Sequence, residues 1–209
     1  MADKQFKRLG FIGRFKPLHI GASLALETLC SQAEHVIIGI GSTNKYNLRN
    51  PFTPNEVEDM INLVLSPKYN NYEIVKIPDF AQEECFADGQ RWAQEIKKVY
   101  QDLDAFISGN PWTNKLLEPY YQIIHPANII LPDQWVYCKG SMVRMALARN
   151  EPWEKLVRPE VAEYLKTNGL VARFQREFGL ETIATLSQNS HYANPEDLAD
   201  EAQHPQEKK

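Results

Sequence analysis

The apolar run Leu9 to Ile12 leads directly into Gly13-Arg14-Phe15-Lys16-Pro17-Leu18-His19-Ile20-Gly21-Ala22, and a helix-like segment, Ser23 to Cys30, follows at once. A short buried strand, a turn and a helix start are the parts of an α/β phosphate site. Anions settle there at a strand's end, beside a helix N-terminus whose N–H groups lack partners. Gly13 and Gly21 let the backbone come close to phosphate oxygens. Arg14 can fork onto those oxygens, and His19 can donate a ring N–H. Taken singly, Arg14 reads as a surface charge and His19 as a satisfied turn histidine. Set between a buried strand and a helix, the two together read as a phosphate site.

Strand and helix signals alternate through the rest of the chain. Arg8 to Gly13 predicts a first strand and Gly21 to Ala33 a helix. His35 to Gly41 predicts a second, buried strand. Thr53 to Leu65 predicts a helix, with Thr53 as N-cap, Pro54 in the first turn and Glu56 in reach of a capping box. Tyr72 to Ile77 predicts a third strand, Ala87 to Tyr100 a helix, and Ala105 to Gly109 a short strand ending in a turn. Ile123 to Ile130 is strand-like but broken by Pro126. Ser141 to Arg149, Pro159 to Lys166 and Leu170 to Leu186 predict helices. The β-α-β alternation predicts an α/β, doubly wound parallel sheet with helices on both faces, followed by C-terminal helices. One domain is expected over residues 1–186. The polar stretch 187–209 is expected to be a disordered tail. Trp112, Tyr120 and Tyr121 are expected to be exposed, serving an interface or packing on a helix.

Composition narrows the classes. The 209 residues carry a net charge of -4, so no overall basic field draws nucleic acid or an anionic membrane, and phosphate binding must come from local Lys and Arg. No apolar run approaches the roughly 18 residues needed to cross a bilayer. Met1 to Arg8 is polar and lacks a signal-peptide core. The cysteines, Cys30, Cys85 and Cys138, are odd in number and far apart, which fits a reducing cytoplasm better than a disulfide framework. The five histidines show no metal-ligand spacing.

Four further motifs follow the first loop in order. They are Gly41-Ser42-Thr43-Asn44-Lys45 with Arg49-Asn50-Pro51-Phe52-Thr53-Pro54-Asn55-Glu56; Ser108-Gly109-Asn110-Pro111; Gly140-Ser141-Met142-Val143-Arg144; and Asn150-Glu151-Pro152-Trp153-Glu154-Lys155-Leu156-Val157 before Pro159. Gly13 to Gly21 resembles the H-x-G-H loop of the nucleotidyltransferase superfamily, which also includes the class I aminoacyl-tRNA synthetases. The other four resemble the second-strand signature, S-G-N-P loop, G-[ST]-x-x-R motif and D-W-x-x-L-[VL]-P ending of archaeal-type nicotinamide mononucleotide adenylyltransferases. The resemblance covers about Leu9 to Leu165. It implies a Rossmann-like nucleotidyltransferase fold, and adenylyl transfer from ATP to nicotinamide mononucleotide giving NAD and pyrophosphate. Mg²⁺ is expected to arrive with ATP, and the chain to form a homo-oligomer.

Residue by residue, the resemblance implies that Arg14 and His19 contact the ATP phosphates. With Arg144 they form the catalytic set. Gly13, Gly21 and Ala22 border the same phosphates. Ser141 and Arg144 grip the β- and γ-phosphates from a helix N-terminus, and Gly109 and Asn110 approach the adenosine end. Ser42 and Arg49 line the acceptor side, Trp92 stacks on the nicotinamide ring, and Phe86 is a second aromatic nearby. A pyridinium on an indole face is physically sound. The bland counterparts are a core aromatic for Trp92, a solvated loop charge for Arg49, and a plain cap with an exposed charge for Ser141 and Arg144.

The departure is Ala22, where the family carries its second His. A methyl group can neither donate a hydrogen bond nor carry charge, and losing one preorganised donor costs about 10²–10³ in rate. Engineered replacement and natural loss are both open. Lys139, before Gly140, stands where a small hydroxyl residue is frequent and adds a positive charge. Two other readings remain: a superfamily transferase acting on phosphopantetheine or a cytidylyl acceptor, against which the Arg49 to Glu56 segment argues, and a nucleotide-binding module without turnover, which Ala22 supports.

Overall fold

A computed structural model describes residues 4–80 and 89–188 of the chain. Five strands form one parallel sheet: β1 (Phe6–Gly13), β2 (Ala33–Ile40), β3 (Tyr72–Lys76), β4 (Ala105–Ile107) and β5 (Ile123–Ile124), in the order β3-β2-β1-β4-β5. β1 pairs with β2 from Phe6↔Ala33 to Gly13↔Ile40, and with β4 from Leu9↔Ala105 to Phe11↔Ile107. The chain therefore winds outward from β1 in one direction, then returns and winds outward from β4 in the other. Loops leaving the carboxyl ends of β1 and β4 part at that reversal and leave a crevice between them.

The inner stretches of the sheet, Val36–Ile40 of β2 and all of β4, are buried and apolar apart from Gly39 because both faces are covered. Along β2, Val36 and Ile38 face one core while Ile37 faces the other, as a two-residue period demands. The first core is closed by α1 (Ile20–Gln32), α2 (Pro54–Leu65), α5 (Gly140–Ala148), α6 (Pro159–Thr167) and α7 (Leu170–Phe174). The second is closed by α3 (Gln90–Tyr100) and α4 (Pro111–Leu117). Tyr100 crosses the second face, its hydroxyl donating to the Phe11 carbonyl at 3.0 Å. A Cβ on Gly39 would lie 2.0 Å from that hydroxyl, so only glycine fits there.

Two ion-pair groups tie distant segments together. Thr53 and Glu56 form the expected capping box on α2, and Glu56 also takes the Arg173 guanidinium in a fork of 2.6 and 2.7 Å. Glu27, buried on α1, accepts from Lys68 at 2.6 Å and from Arg158 just before α6. Trp153 is buried in the first core, so the Trp153 to Pro159 stretch anchors α6.

The structure departs from the sequence reading at several places. The strand expected to reach Ile130 ends at Ile124. Pro126 cannot donate to a ladder, and His125 Nδ1 accepts from the Ala127 N–H to start a 3₁₀ turn over Pro126–Asn128. The helix expected over Leu170 to Leu186 is α7, a π turn at Gln175–Gly179, and α8 (Leu180–Gln188). α4 was not anticipated. Its signal is local, with Asn110 capping the Thr113 N–H at 3.0 Å and Pro111 in the first turn. Tyr121 is buried and Trp112 half-buried, so neither is the exposed aromatic expected. Phe86 and the tail from residue 189 lie outside the described residues. Among the described residues no helix is long and apolar enough to cross a membrane.

Candidate active site

The crevice takes its shape from two strained residues. Phe15 and Ser42, just beyond β1 and β2, both adopt the left-handed backbone region, with φ of 52° and 53°. Such residues cost about 1–3 kcal/mol each and persist where the surroundings enforce them. Phe15 is buried with its ring 5.9 Å from that of Phe11, and the sharp turn leaves Arg14 on the crevice wall. His19 caps α1: its Nδ1 accepts from the Ala22 N–H at 3.2 Å, and its carbonyl accepts from Ser23 N at 2.9 Å. With Nδ1 an acceptor, the ring proton of the neutral imidazole sits on Nε2. Burial, then the neighbouring Arg144, pushes the His19 pKa down to about 4. At neutral pH His19 is thus an uncharged N–H donor. A Cβ on Gly21 would lie 2.8 Å from the Val136 carbonyl, so glycine is what lets the start of α1 meet the 135–138 strap.

Two lobes meet at Gly13 and Arg14. One encloses about 310 Å³ and is lined by Ser42, Arg49, Asn50, Asp79, Trp92, Asn110 and Trp112 among others. The other encloses about 250 Å³ and is lined by His19, Gly21, Ala22, Leu24, Trp135 and Val136 among others. The indoles of Trp92 and Trp112 lie 5.4 Å apart, inclined at 42°, and present flat apolar surface to the first lobe.

Positive charge is concentrated where the lobes join. Arg144 donates to the Lys16 carbonyl at 2.9 Å. Burial, then repulsion from Arg14 and Arg49, pushes its pKa down to about 9. Arg14 is lowered by desolvation in the crevice and then by Arg49. Lys16, 2% exposed, is pushed down to about 8 by burial and then by Arg14. All remain cations at neutral pH. Among the described residues lining the first lobe the one carboxylate is Asp79, which accepts from Ser42 Oγ at 3.3 Å and whose backbone is clasped by the Asn44 amide at 2.8 and 2.7 Å. Like charges packed this closely repel one another until an anion enters between them.

A curated nicotinamide-nucleotide adenylyltransferase from Thermococcus onnurineus is 31% identical over 189 residues, spanning 88% of this chain and 92% of the relative. The chain belongs to the nicotinamide-nucleotide adenylyltransferase family. A member from Pyrococcus furiosus is 30% identical over 167 residues, 77% of this chain and 83% of its own length. No family model matches the chain. Among solved structures, a bifunctional NMN adenylyltransferase/ADP ribose pyrophosphatase from Francisella tularensis, complexed with AMP and a manganese ion, superposes with a TM-score of 0.66 at 19% identity. That match covers 91% of this chain and 57% of the longer protein, and it shows the shared Rossmann-like nucleotidyltransferase fold.

The structure gathers Gly13, Arg14, His19, Gly21, Ala22, Ser42, Arg49, Trp92 and Asn110 on the walls of the two lobes. Arg144 lines neither lobe; it is bonded to the Lys16 carbonyl and close enough to His19 and Arg14 to interact with both electrostatically. Asn110 lines the Trp92 lobe, not the His19 lobe. Gly109 lines neither and packs against His125. Ser141, in the first turn of α5, also lines neither lobe. Lys139 precedes α5, its amine 5.5 Å over the Tyr137 ring. Sequence reasoning passed over Lys16, Asn50, Asp79, Trp112 and Trp135. Asp79 carried a usable signal, since it lies in the loop just beyond the end of a parallel strand.

Proposed function

We propose that this chain transfers the adenylyl group of ATP to nicotinamide mononucleotide, giving NAD and pyrophosphate. The observation that carries the reading is the pair of lobes meeting at Arg14, one walled by the mutually inclined indoles of Trp92 and Trp112 and the other by His19, in a chain of this family. The 5′-phosphate of the mononucleotide attacks the α-phosphorus of ATP; a new P–O bond forms and the bond to the departing pyrophosphate breaks. That phosphate is already ionised at neutral pH, so no catalytic base is required. Positioning and charge stabilisation do the work.

Arg14 stands where both phosphates meet and aligns them. His19 Nε2–H donates to the α-phosphate. Arg144, beside His19, supplies the positive charge for the β- and γ-phosphates. Trp92 and Trp112 take the nicotinamide ring, whose positive charge suits an indole face. A divalent ion carried in on phosphate oxygens would have the Asp79 carboxylate on the wall of the first lobe. When bound, Mg²⁺ neutralises charge on the triphosphate. Ala22 offers the leaving group no side-chain donor, so turnover is slow relative to a His at that position.

Ala22 also favours a second reading, a nucleotide-binding protein without turnover. Pyrophosphate release with ATP, Mg²⁺ and nicotinamide mononucleotide, run on this chain and on Ala22→His, separates the two. Release that rises in the variant supports the enzyme, and binding with silence in both supports the sensor. A preference for CTP would point to another superfamily transferase. Free, buried Cys30 and Cys138 are in keeping with a cytoplasmic setting. Homo-oligomerisation, which the resemblance implies, is tested by light scattering.

A further inference from the structure

Lys16 is chemically out of place. A side chain 2% exposed ordinarily carries no charge, yet Lys16 holds an ammonium whose two hydrogen-bond acceptors are both neutral: the Ser42 carbonyl at 2.9 Å and Asn50 Oδ1 at 3.2 Å. A buried cation without a bonded carboxylate is costly, and an apolar side chain of the same length would suit stability better. What the ammonium obtains is wiring. By holding Asn50 Oδ1 it fixes which way that amide faces, so Asn50 Nδ2 donates to Asn47 Oδ1 at 3.0 Å. The same Asn47 oxygen accepts the Arg49 N–H at 3.1 Å and the Asn50 N–H at 3.1 Å, which shapes the turn that carries Arg49. The second acceptor, Ser42, is one of the two left-handed residues that shape the crevice. The Lys16 carbonyl takes the Arg144 guanidinium, and Arg14 lies two residues back across the left-handed Phe15.

We infer that Lys16 is a positioning residue, the hub that sets Arg14, Arg49 and Arg144 in one orientation toward phosphate. It lines neither lobe. Its side chain acts on Arg49 through the Asn50 and Asn47 amides. The proposal rests on the adenylyl-transfer reading for what the arginines grip, the phosphates of ATP, but not on turnover.

A double-mutant cycle on the full chain tests it, with ATP affinity measured by calorimetry. Lys16→Met keeps the carbonyl and the length but removes the ammonium. Lys16→Met and Arg49→Ala are each expected to weaken ATP binding about tenfold, and the double variant to be within about twofold of the worse single, because both break one chain of contacts. A merely structural lysine would give losses that multiply to about a hundredfold, and that result, or unchanged binding in Lys16→Met, overturns the proposal. Should Lys16→Met not fold, Asn47→Ala, at an exposed position, runs the same cycle with the same expectation: a loss that multiplies with Arg49→Ala, or no loss, refutes the wiring. A chain that binds ATP yet adenylates no mononucleotide refutes the functional reading while the cycle still decides the hub. A chain that binds no ATP overturns both.

Discussion

Replacing Ala22 by His should raise turnover sharply without tightening ground-state binding. Ala22 is the third residue of α1, 7% exposed, and its own N–H is already committed to His19 Nδ1. Only the side chain is therefore free to change what the site offers, and its methyl faces a lobe of about 250 Å³, ample for an imidazole. In that position, 7% exposed and on the lobe wall, an imidazole would bring an N–H donor to the lobe. One preorganised donor to charge that develops on a leaving group is worth about 10²–10³ in rate, roughly 3–4 kcal/mol. Because that charge appears only as the bond breaks, the gain belongs in kcat, with KM for ATP moving by no more than about threefold. Single-turnover and steady-state pyrophosphate release measure both. A kcat that stays within about threefold of the starting chain, with ATP affinity intact, refutes the argument that the missing donor limits the chemical step.

Three other outcomes follow from the same geometry. Trp92→Ala should raise KM for the mononucleotide about tenfold with little effect on KM for ATP, and Trp92→Phe should keep most of the affinity; steady-state kinetics with each substrate varied separates the cases. His19→Asn retains a side-chain oxygen for the Ala22 N–H but removes a titrating group. Unfolded histidine binds its proton near 6.5 and folded His19 only near 4, so the native chain should lose stability as pH falls through that window, and urea titrations at pH 7.5 and 5 should show a smaller loss in the variant. Glu27→Gln leaves Arg158 and Lys68 without their carboxylate at a buried position that lines neither lobe. It should cost about 2 kcal/mol by chemical denaturation while pyrophosphate release is unaltered.

The parts of the fold that local chemistry dictates were readable from the chain. Thr53, Pro54 and Glu56 announced α2 through cap geometry alone, and the run from Val36 to Ile40 announced a strand covered on both faces. The strand–loop–helix around Arg14 and His19 was legible because a phosphate site needs those residue types at that place. What escaped depends on partners far along the chain. Lys16 looks like any loop lysine until Ser42, Asn50 and Arg144 close around it. Trp112 joins Trp92 only because α3 and α4 pack side by side on the second face. That Asn110 shares a lobe with Trp92 follows from where β4 delivers α4, which no local motif encodes. Glu27 and Arg158 pair across much of the chain, and no spacing rule links them.

The central claim is adenylyl transfer, and the most direct measurement is the joint appearance of NAD and pyrophosphate from ATP, Mg²⁺ and nicotinamide mononucleotide, resolved by chromatography. The account predicts the two products in equal amounts, slowly from this chain and faster by about 10²–10³ from Ala22→His. Binding of ATP with no NAD from either protein, or efficient transfer from CTP to a different phosphorylated acceptor, would contradict it.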